Sequence, residues 1–337
     1  MTHELKQIVQ AYINSRSKGL KSVLATVVAL DGSSYRKPGV RMLILEDDSM
    51  IGAVSGGCVE KDILRQSKSV FETGTAKMMT YDGRYRLGCE GILYILLECF
   101  DPGDRFIEAF NDCIQNRRHF NIDSYYSKTE GEVKGLGTQF NFNKKLFSTS
   151  QQSFKTEELL DVFSQTMPPC FKLMIFGAEH DAVQLCKFAA LNGWEVTIVT
   201  GPLESKTIEN FPGATSFHSA SPDQIELQNI DEETAIVLMS HNFANDLKFL
   251  IELKNSRPAY LGILGPSHRR EKLLSQFLEY CPEVDTEFID SIHGPAGLNI
   301  GAETPQEIAI SILSEILTVV RNQVPISLRE KEGGIHS

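Results

Sequence analysis

The apolar positions change their spacing repeatedly along the chain, and each change predicts an element. Over residues 3–16, Leu5, Ile8, Val9, Tyr12 and Ile13 recur at helical intervals, and Gly19 is a natural stop. Residues 21–30 are an unbroken β-branched run, a buried strand, which Asp31, Gly32, Ser33 and Ser34 end. A second strand over 40–45 is closed by the polar turn 46–49. Residues 59–71 predict a helix with Val59, Ile63, Leu64 and Val70 as its stripe. Strands follow at 78–81 and 92–97, and a helix at 104–117. Alternation over 120–126 and 138–142, flanking a glycine-rich stretch from Gly131 to Gly137, predicts a hairpin. Residues 147–155, rich in Ser, Thr and Gln, read as a linker, and Met167, Pro168 and Pro169 punctuate the boundary.

From Lys172 onward the pattern becomes repeated strand-helix units. Short apolar runs at 172–177, 195–200, 235–240 and 259–264 alternate with helical stretches at 179–192, 245–255 and 269–280. That alternation predicts a parallel, doubly wound sheet. Thr304, Pro305 and Glu307 supply a cap, a proline at the first helical position and a capping-box acid for a last helix through 308–317. The fold class is therefore α/β: a mixed α/β domain over 1–165, a Rossmann-like domain over 166–325 and a frayed tail over 326–337.

Composition narrows the function. The 337 residues suit two domains, and 42% hydrophobic against 23% charged residues is a globular balance. The net charge of -11 argues against nucleic acid and anionic membrane surfaces as partners. No apolar run reaches the roughly 18 residues of a membrane span. Residues 1–20 are polar and read as an amphipathic helix, not a signal peptide, so the cytoplasm is the expected compartment. Seven cysteines without a CxxC pair exclude a zinc ribbon and an orderly disulfide framework. Cys99, Cys113, Cys186 and Cys281 sit among apolar neighbours and read as buried fillers.

Three loops of the first half carry chemistry. Gly32-Ser-Ser-Tyr-Arg36-Lys37-Pro-Gly-Val-Arg41 gathers hydroxyls, glycines and three basic residues, a set that suits phosphate oxygens or simply a solvated connection. In Ser55-Gly56-Gly57-Cys58-Val59-Glu60 the glycines let backbone approach a ligand, and Cys58 falls at a helix start, where a thiolate is favoured. The bland alternative is a tight turn with a buried thiol. Arg84-Tyr-Arg-Leu-Gly-Cys89-Glu90-Gly91 repeats the flavour.

In the second half, Gly177-Ala178-Glu179-His180-Asp181 stands where a dinucleotide fingerprint belongs. Glu179 replaces the middle glycine, and Thr200 stands where an acid would hold a ribose, so a NAD(P)-dependent oxidoreductase or a nucleotide-binding protein is only the alternative reading. Ser240-His241-Asn242 with Asp246 ends a strand at the edge where such folds place ligands. Arg269 and Arg270 open a helix, and His293-Gly-Pro-Ala-Gly-Leu-Asn-Ile-Gly-Ala302 is a second backbone cradle or a plain crossover.

Ser55-Gly-Gly-Cys58 with Glu60, the preceding Gly-Ser-Ser-Tyr-Arg36, and the motif running from His293 to Ile308 together resemble the XdhC/CoxI family, accessory factors of xanthine dehydrogenase and related molybdenum hydroxylases. The resemblance spans nearly the whole chain in the family's order, a CoxI-like domain and then a Rossmann-like one. It implies a protein that binds the molybdenum cofactor (molybdopterin), assists its sulfuration and delivers it to an apo-hydroxylase. That makes it a cofactor-insertion chaperone more than a turnover enzyme, with a cysteine desulfurase as a further partner. Arg36, Ser55, Gly56, Gly57, Cys58, Cys89, His241 and Asp246 are its cofactor-binding candidates. His241 and Asp246 match the family's His and Asp in the second half. A homodimer is the commonest closed assembly for such a chain.

Overall fold

The structure, a computed structural model, describes residues 1–32, 34, 37–85, 91–150, 160–224 and 230–332, apart from the side chains of Cys58 and Tyr85. The chain divides into two compact units, Met1–Pro169 and Cys170–Ser337.

The first unit comprises α1 (Thr2–Arg16), β1 (Ser22–Asp31), β2 (Arg41–Leu45), β3 (Met50–Gly52), α2 (Cys58–Thr73), β4 (Lys77–Asp82), β5 (Ile92–Cys99), α3 (Asp104–Gln115), β6 (Phe120–Tyr126), β7 (Gly137–Phe142), β8 (Lys145–Ser148) and β9 (Asp161–Met167). Five strands form an antiparallel sheet in the order β3-β2-β1-β5-β4, and four form a second sheet in the order β8-β7-β6-β9. Strand β1 is buried almost end to end because both faces of its sheet are covered. On one face Val59, Ile63 and Val70 of α2 pack against Val23, Ala25 and Val27. On the other, Leu24, Leu43 and Leu45 meet α1, α3 and the phenylalanines of β6 and β7. Phe106 is the hub of that layer, with ring centroids 5.0 Å from Phe140 and 5.3 Å from Phe142.

The hairpin predicted around residues 131–137 is present as β6 and β7. The linker expected at 147–155 is corrected at its start. Phe147 and Ser148 pair with Phe140 and Gln139, and the remaining residues of that stretch from 151 lie outside the described ones. Strand β9 has no counterpart among the predicted elements because it is a sheet edge with an exposed face, so polar Asp161, Ser164 and Thr166 interrupt any apolar run.

The second unit comprises β10 (Lys172–Phe176), α4 (His180–Leu191), β11 (Glu195–Thr200), β12 (Ala214–Ser219), β13 (Thr234–Leu238), α5 (Phe243–Leu253), β14 (Tyr260–Ile263), α6 (Ser267–Tyr280), α7 (Thr286–Asp290), β15 (Ile292–His293) and α8 (Pro305–Val320). Its sheet is parallel throughout, in the order β12-β11-β10-β13-β14-β15, the doubly wound order of a Rossmann fold. Alternate residues of the same strands feed two cores. Leu173, Ile175, Val196 and Val237 pack under α4 and α8, while Met174, Phe176, Ile236 and Leu238 pack under α5 and α6. The capping box read at Thr304 forms. The Glu307 N–H donates to Thr304 Oγ1 at 3.3 Å, and the Thr304 N–H donates to Glu307 Oε2 at 2.9 Å. Leu328–Glu330 adds one short helical turn in the tail, where fraying is the sequence expectation.

Candidate functional site

Strand direction in the first unit decides where its three loops emerge. Asp31 and Asp82 both pair with Ile92, Met42 pairs with Gly52, and Arg41 pairs with Thr26. The ends of β1, β3 and β4 and the starts of β2 and β5 therefore lie at one edge of the sheet. The connections 32–40, 53–57 and 83–91 all leave from that edge. Arg36 and Cys89, expected on two of them, lie outside the described residues.

Between β3 and α2 the Ser55-Gly56-Gly57 turn is fully visible. Gly57 is the N-cap of the 16-residue α2, with φ at +117°, a conformation that requires glycine. Cys58 opens the helix. Among the described residues, a Cβ placed on Gly56 or Gly57 would meet nothing within 4 Å, so none of them covers the outer side of the turn. Its inner side is closed by Glu60, which is 7% exposed. The Ser55 N–H donates to Glu60 Oε1 and the Ser55 hydroxyl to Glu60 Oε2, each at 2.7 Å. Burial pushes the Glu60 carboxyl up, but the bonds from Ser55, joined by the backbone N–H groups of Glu60 and Gly57, outweigh it and hold its pKa below the ordinary value. The sequence motif includes Glu60 without showing its role, because its reach back to Ser55 is five residues and a capping box spans three.

Charge sorts the surroundings. Asp31 accepts from Lys128 Nζ at 2.7 Å and from the Tyr94 hydroxyl at 2.9 Å. Asp82 accepts from Arg84 Nε at 2.9 Å and from Nη2 at 2.7 Å. A polar cleft of about 220 Å³ beside α2 is lined by Asp62, Arg65, Asp82 and Glu130 among others. Three carboxylates against one guanidinium disfavour an anion there. Arg41, counted among the basic residues of the first loop, is corrected to an interior position. It is 6% exposed, and Nη1 donates to the Gly39 carbonyl at 2.9 Å and to Gln165 Oε1 at 2.8 Å.

In the second unit, the β10–α4 and β13–α5 loops flank the switch point of the sheet. Gly177 is obligatory, since a Cβ there would sit 2.3 Å from the Met239 carbonyl oxygen. The crevice is occupied by the chain's own charges. Lys206 Nζ donates to the Ala178 carbonyl at 2.6 Å and lies 3.7 Å from Glu179. His241 Nε2 lies 2.7 Å from Asp181 Oδ2, across the crevice. His241 is half-exposed at the side chain and holds φ at +53°, an uncommon backbone for this residue type. Asp246 is fully buried, and both its oxygens are engaged. Oδ1 accepts from the Ser240 hydroxyl at 2.5 Å, and Oδ2 accepts from Arg269 Nη2 at 2.8 Å. No sequence pattern groups Asp181, Lys206 and Arg269, because only the topology brings them together.

The glycine-rich motif after β15 is likewise tied from within. The Tyr260 hydroxyl donates to Glu315 Oε2 at 2.5 Å, the Gly297 N–H donates to the same oxygen at 2.8 Å, and His293 stacks on Tyr260 with centroids 4.7 Å apart. The loop beyond it borders an open cleft of about 560 Å³ with Gly265 and Pro266. Among the described residues no group of three or more His, Cys, Asp or Glu could hold a metal ion, and no helix is long and apolar enough to cross a membrane. Two of the predicted fillers are sealed thiols, with burial pushing Cys186 up to about 11 and raising Cys113.

These features define a two-unit α/β protein with a glycine-cysteine turn in one half and a self-bridged Rossmann crevice in the other. Comparison with known proteins agrees. The family model described as "XdhC and CoxI family" matches residues 15–82, and the one described as "XdhC Rossmann domain" matches residues 173–316. A protein of Bacillus subtilis (strain 168) described as a probable subunit of xanthine dehydrogenase is 30% identical over 320 residues, covering 88% of this chain and 92% of that one. "Molybdenum cofactor insertion chaperone PaoD" of Escherichia coli (strain K12) is 24% identical over 331 residues, 96% of this chain and 91% of that one. A crystal structure of a xanthine dehydrogenase from Bacillus halodurans superposes with a TM-score of 0.74 at 25% identity, covering 93% of this chain and 94% of that one. The chain belongs to the XdhC and CoxI family.

The crevice carries one direct expectation. Titration with NAD(H) and NADP(H) is expected to show no binding in the micromolar range. Glu179 and Asp181 stand at the helix start where a pyrophosphate would need backbone donors. Micromolar heats would show that the internal bridges open for a dinucleotide.

Proposed function

We propose that the chain is an accessory factor of a molybdenum hydroxylase, a carrier that binds the molybdenum cofactor, assists its sulfuration and delivers it to apo-xanthine dehydrogenase or a related apo-enzyme in the cytoplasm. The observation that carries this reading is the Ser55-Gly56-Gly57 turn at the start of α2, placed at the sheet edge from which the loops 32–40 and 83–91 also leave. The cofactor is an anionic pterin phosphate with a soft, sulfur-ligated metal, and when bound it supplies the redox centre of the client enzyme. Ser55, Gly56, Gly57 and Cys58 would hold it, with Arg36 and Cys89 on the flanking loops. Backbone without side chains suits a phosphate, and a thiol at a helix start suits a soft metal or a sulfur atom. A cysteine desulfurase is the matching source of sulfur. In the second unit His241 is the exposed candidate contact, and Asp246 supports it by fixing Ser240 and Arg269.

The membership in the family and the likeness to an insertion chaperone support the reading. The test is anaerobic purification of the full chain from a host that makes the cofactor, with molybdenum and pterin quantified, followed by mixing with apo-xanthine dehydrogenase. Near-stoichiometric pterin and a gain of hydroxylase activity are expected. A chain free of pterin that also fails to activate the apo-enzyme would overturn it.

A further inference from the structure

We propose that Glu60 is the positioning residue of the Ser55-Gly56-Gly57-Cys58 turn, holding its backbone path from the inside without touching the ligand. The proposal rests on the reading of that turn as the cofactor site.

A closed set of bonds runs from residue 55 to residue 60. A serine hydroxyl has one hydrogen to give, and Ser55 gives it to Glu60 Oε2. Its lone pairs then accept from the Gly57 N–H at 3.2 Å and the Val59 N–H at 3.4 Å. The Ser55 N–H takes the other Glu60 oxygen. The carboxylate thus fixes the residue before the glycines, and the serine fixes the helix start after them. Between these two anchors Gly56 and Gly57 would otherwise be the freest residues of the segment. A ligand that must order such a turn on binding loses affinity, whereas a turn ordered beforehand does not. Glu60 itself is 7% exposed behind the turn, while no described residue lies within 4 Å of a Cβ placed on either glycine. Its oxygens are already used, so a ligand on the outer side meets the backbone and not the carboxylate.

The experiment uses the full chain, purified anaerobically from a cofactor-producing host, as Glu60→Ala, Ser55→Ala, the double variant, Glu60→Gln and Cys58→Ala. Two quantities are read: pterin content, and the rate of Cys58 alkylation by iodoacetamide, followed by mass spectrometry of its peptide. Glu60→Ala and Ser55→Ala are each expected to change the alkylation rate several-fold and to lower pterin content about tenfold. The double variant is expected to do no more than either single one, because both break one bonded unit. Glu60→Gln keeps an acceptor for the Ser55 N–H and is expected to restore most of both. If Glu60→Ala does not fold, the alkylation rate of Ser55→Ala against that of Glu60→Gln carries the test. Additive effects in the double variant, or wild-type alkylation and pterin in Glu60→Ala, would overturn the proposal. If Cys58→Ala keeps its pterin, Cys58 is removed from the cofactor site instead, and the alkylation cycle decides the role of Glu60 by itself.

Discussion

Cys58→Ala is expected to lose the molybdenum cofactor, with pterin content down at least about tenfold, while the chain keeps its circular dichroism spectrum and its urea midpoint. The stability half of this follows from the anchoring of α2. The helix is held by Val59, Ile63 and Val70 in the core and by the bonds between Ser55 and Glu60. Alanine is a good helix former at its first position. The binding half follows from chemistry: no other residue of the turn offers a thiol or any other soft ligand. A tenfold loss corresponds to about 1.4 kcal/mol, a modest demand on one thiol-to-metal or thiol-to-sulfur contact. Molybdenum by mass spectrometry and pterin by fluorescence after oxidation measure it. Equal cofactor in the variant would remove Cys58 from the site and turn attention to Cys89.

Glu98→Leu is expected to destabilise the first unit by about 3–5 kcal/mol, and Glu98→Gln by much less. Glu98 is 3% exposed on β5, on the face that meets the second sheet. It accepts from the Thr138 hydroxyl at 2.5 Å, the Thr138 N–H at 3.0 Å and the Thr149 hydroxyl at 2.6 Å. Burial raises its pKa, and the donors of Thr138 and Thr149, with the charge of Arg41, pull it back. Burial also pushes Arg41 down to about 10, against the pull of Glu98, so the guanidinium remains charged at neutral pH. Leucine would strand all these donors and leave a buried cation uncompensated. The cation is already under-served, because among the described residues its Nε and Nη2 have no hydrogen-bond partner. Glutamine keeps an acceptor oxygen for the threonines, which is why its cost is smaller. Urea denaturation of the three proteins decides, and equal midpoints would mean that the cluster contributes nothing.

The legible parts of this protein are those where one residue type has one use. Both halves of the fold are readable from spacing: 3.6-residue stripes in α1 and α2, and the alternation of buried runs with helices from Lys172 onward. The cap at Thr304 is readable because Thr304 and Glu307, three residues apart, bond one another. Strands β9 and β12 are not, since their exposed faces are filled with polar residues. The glycines and the cysteine of the turn stand out locally, but their common edge with the other two loops depends on strand order.

Neighbours along the chain thus carry the α/β class of each half, the family motifs and the chemical character of the turn, since each of these is a local pattern. It takes the packed fold to make Arg41 interior, to set Glu60 as the brace of the turn and to bring Asp181, Lys206 and Arg269 into or around the Rossmann crevice. His241 and Asp181 are 60 positions apart and lie 2.7 Å from one another. Such a contact is set by the packing of two strands side by side, and no local pattern carries it.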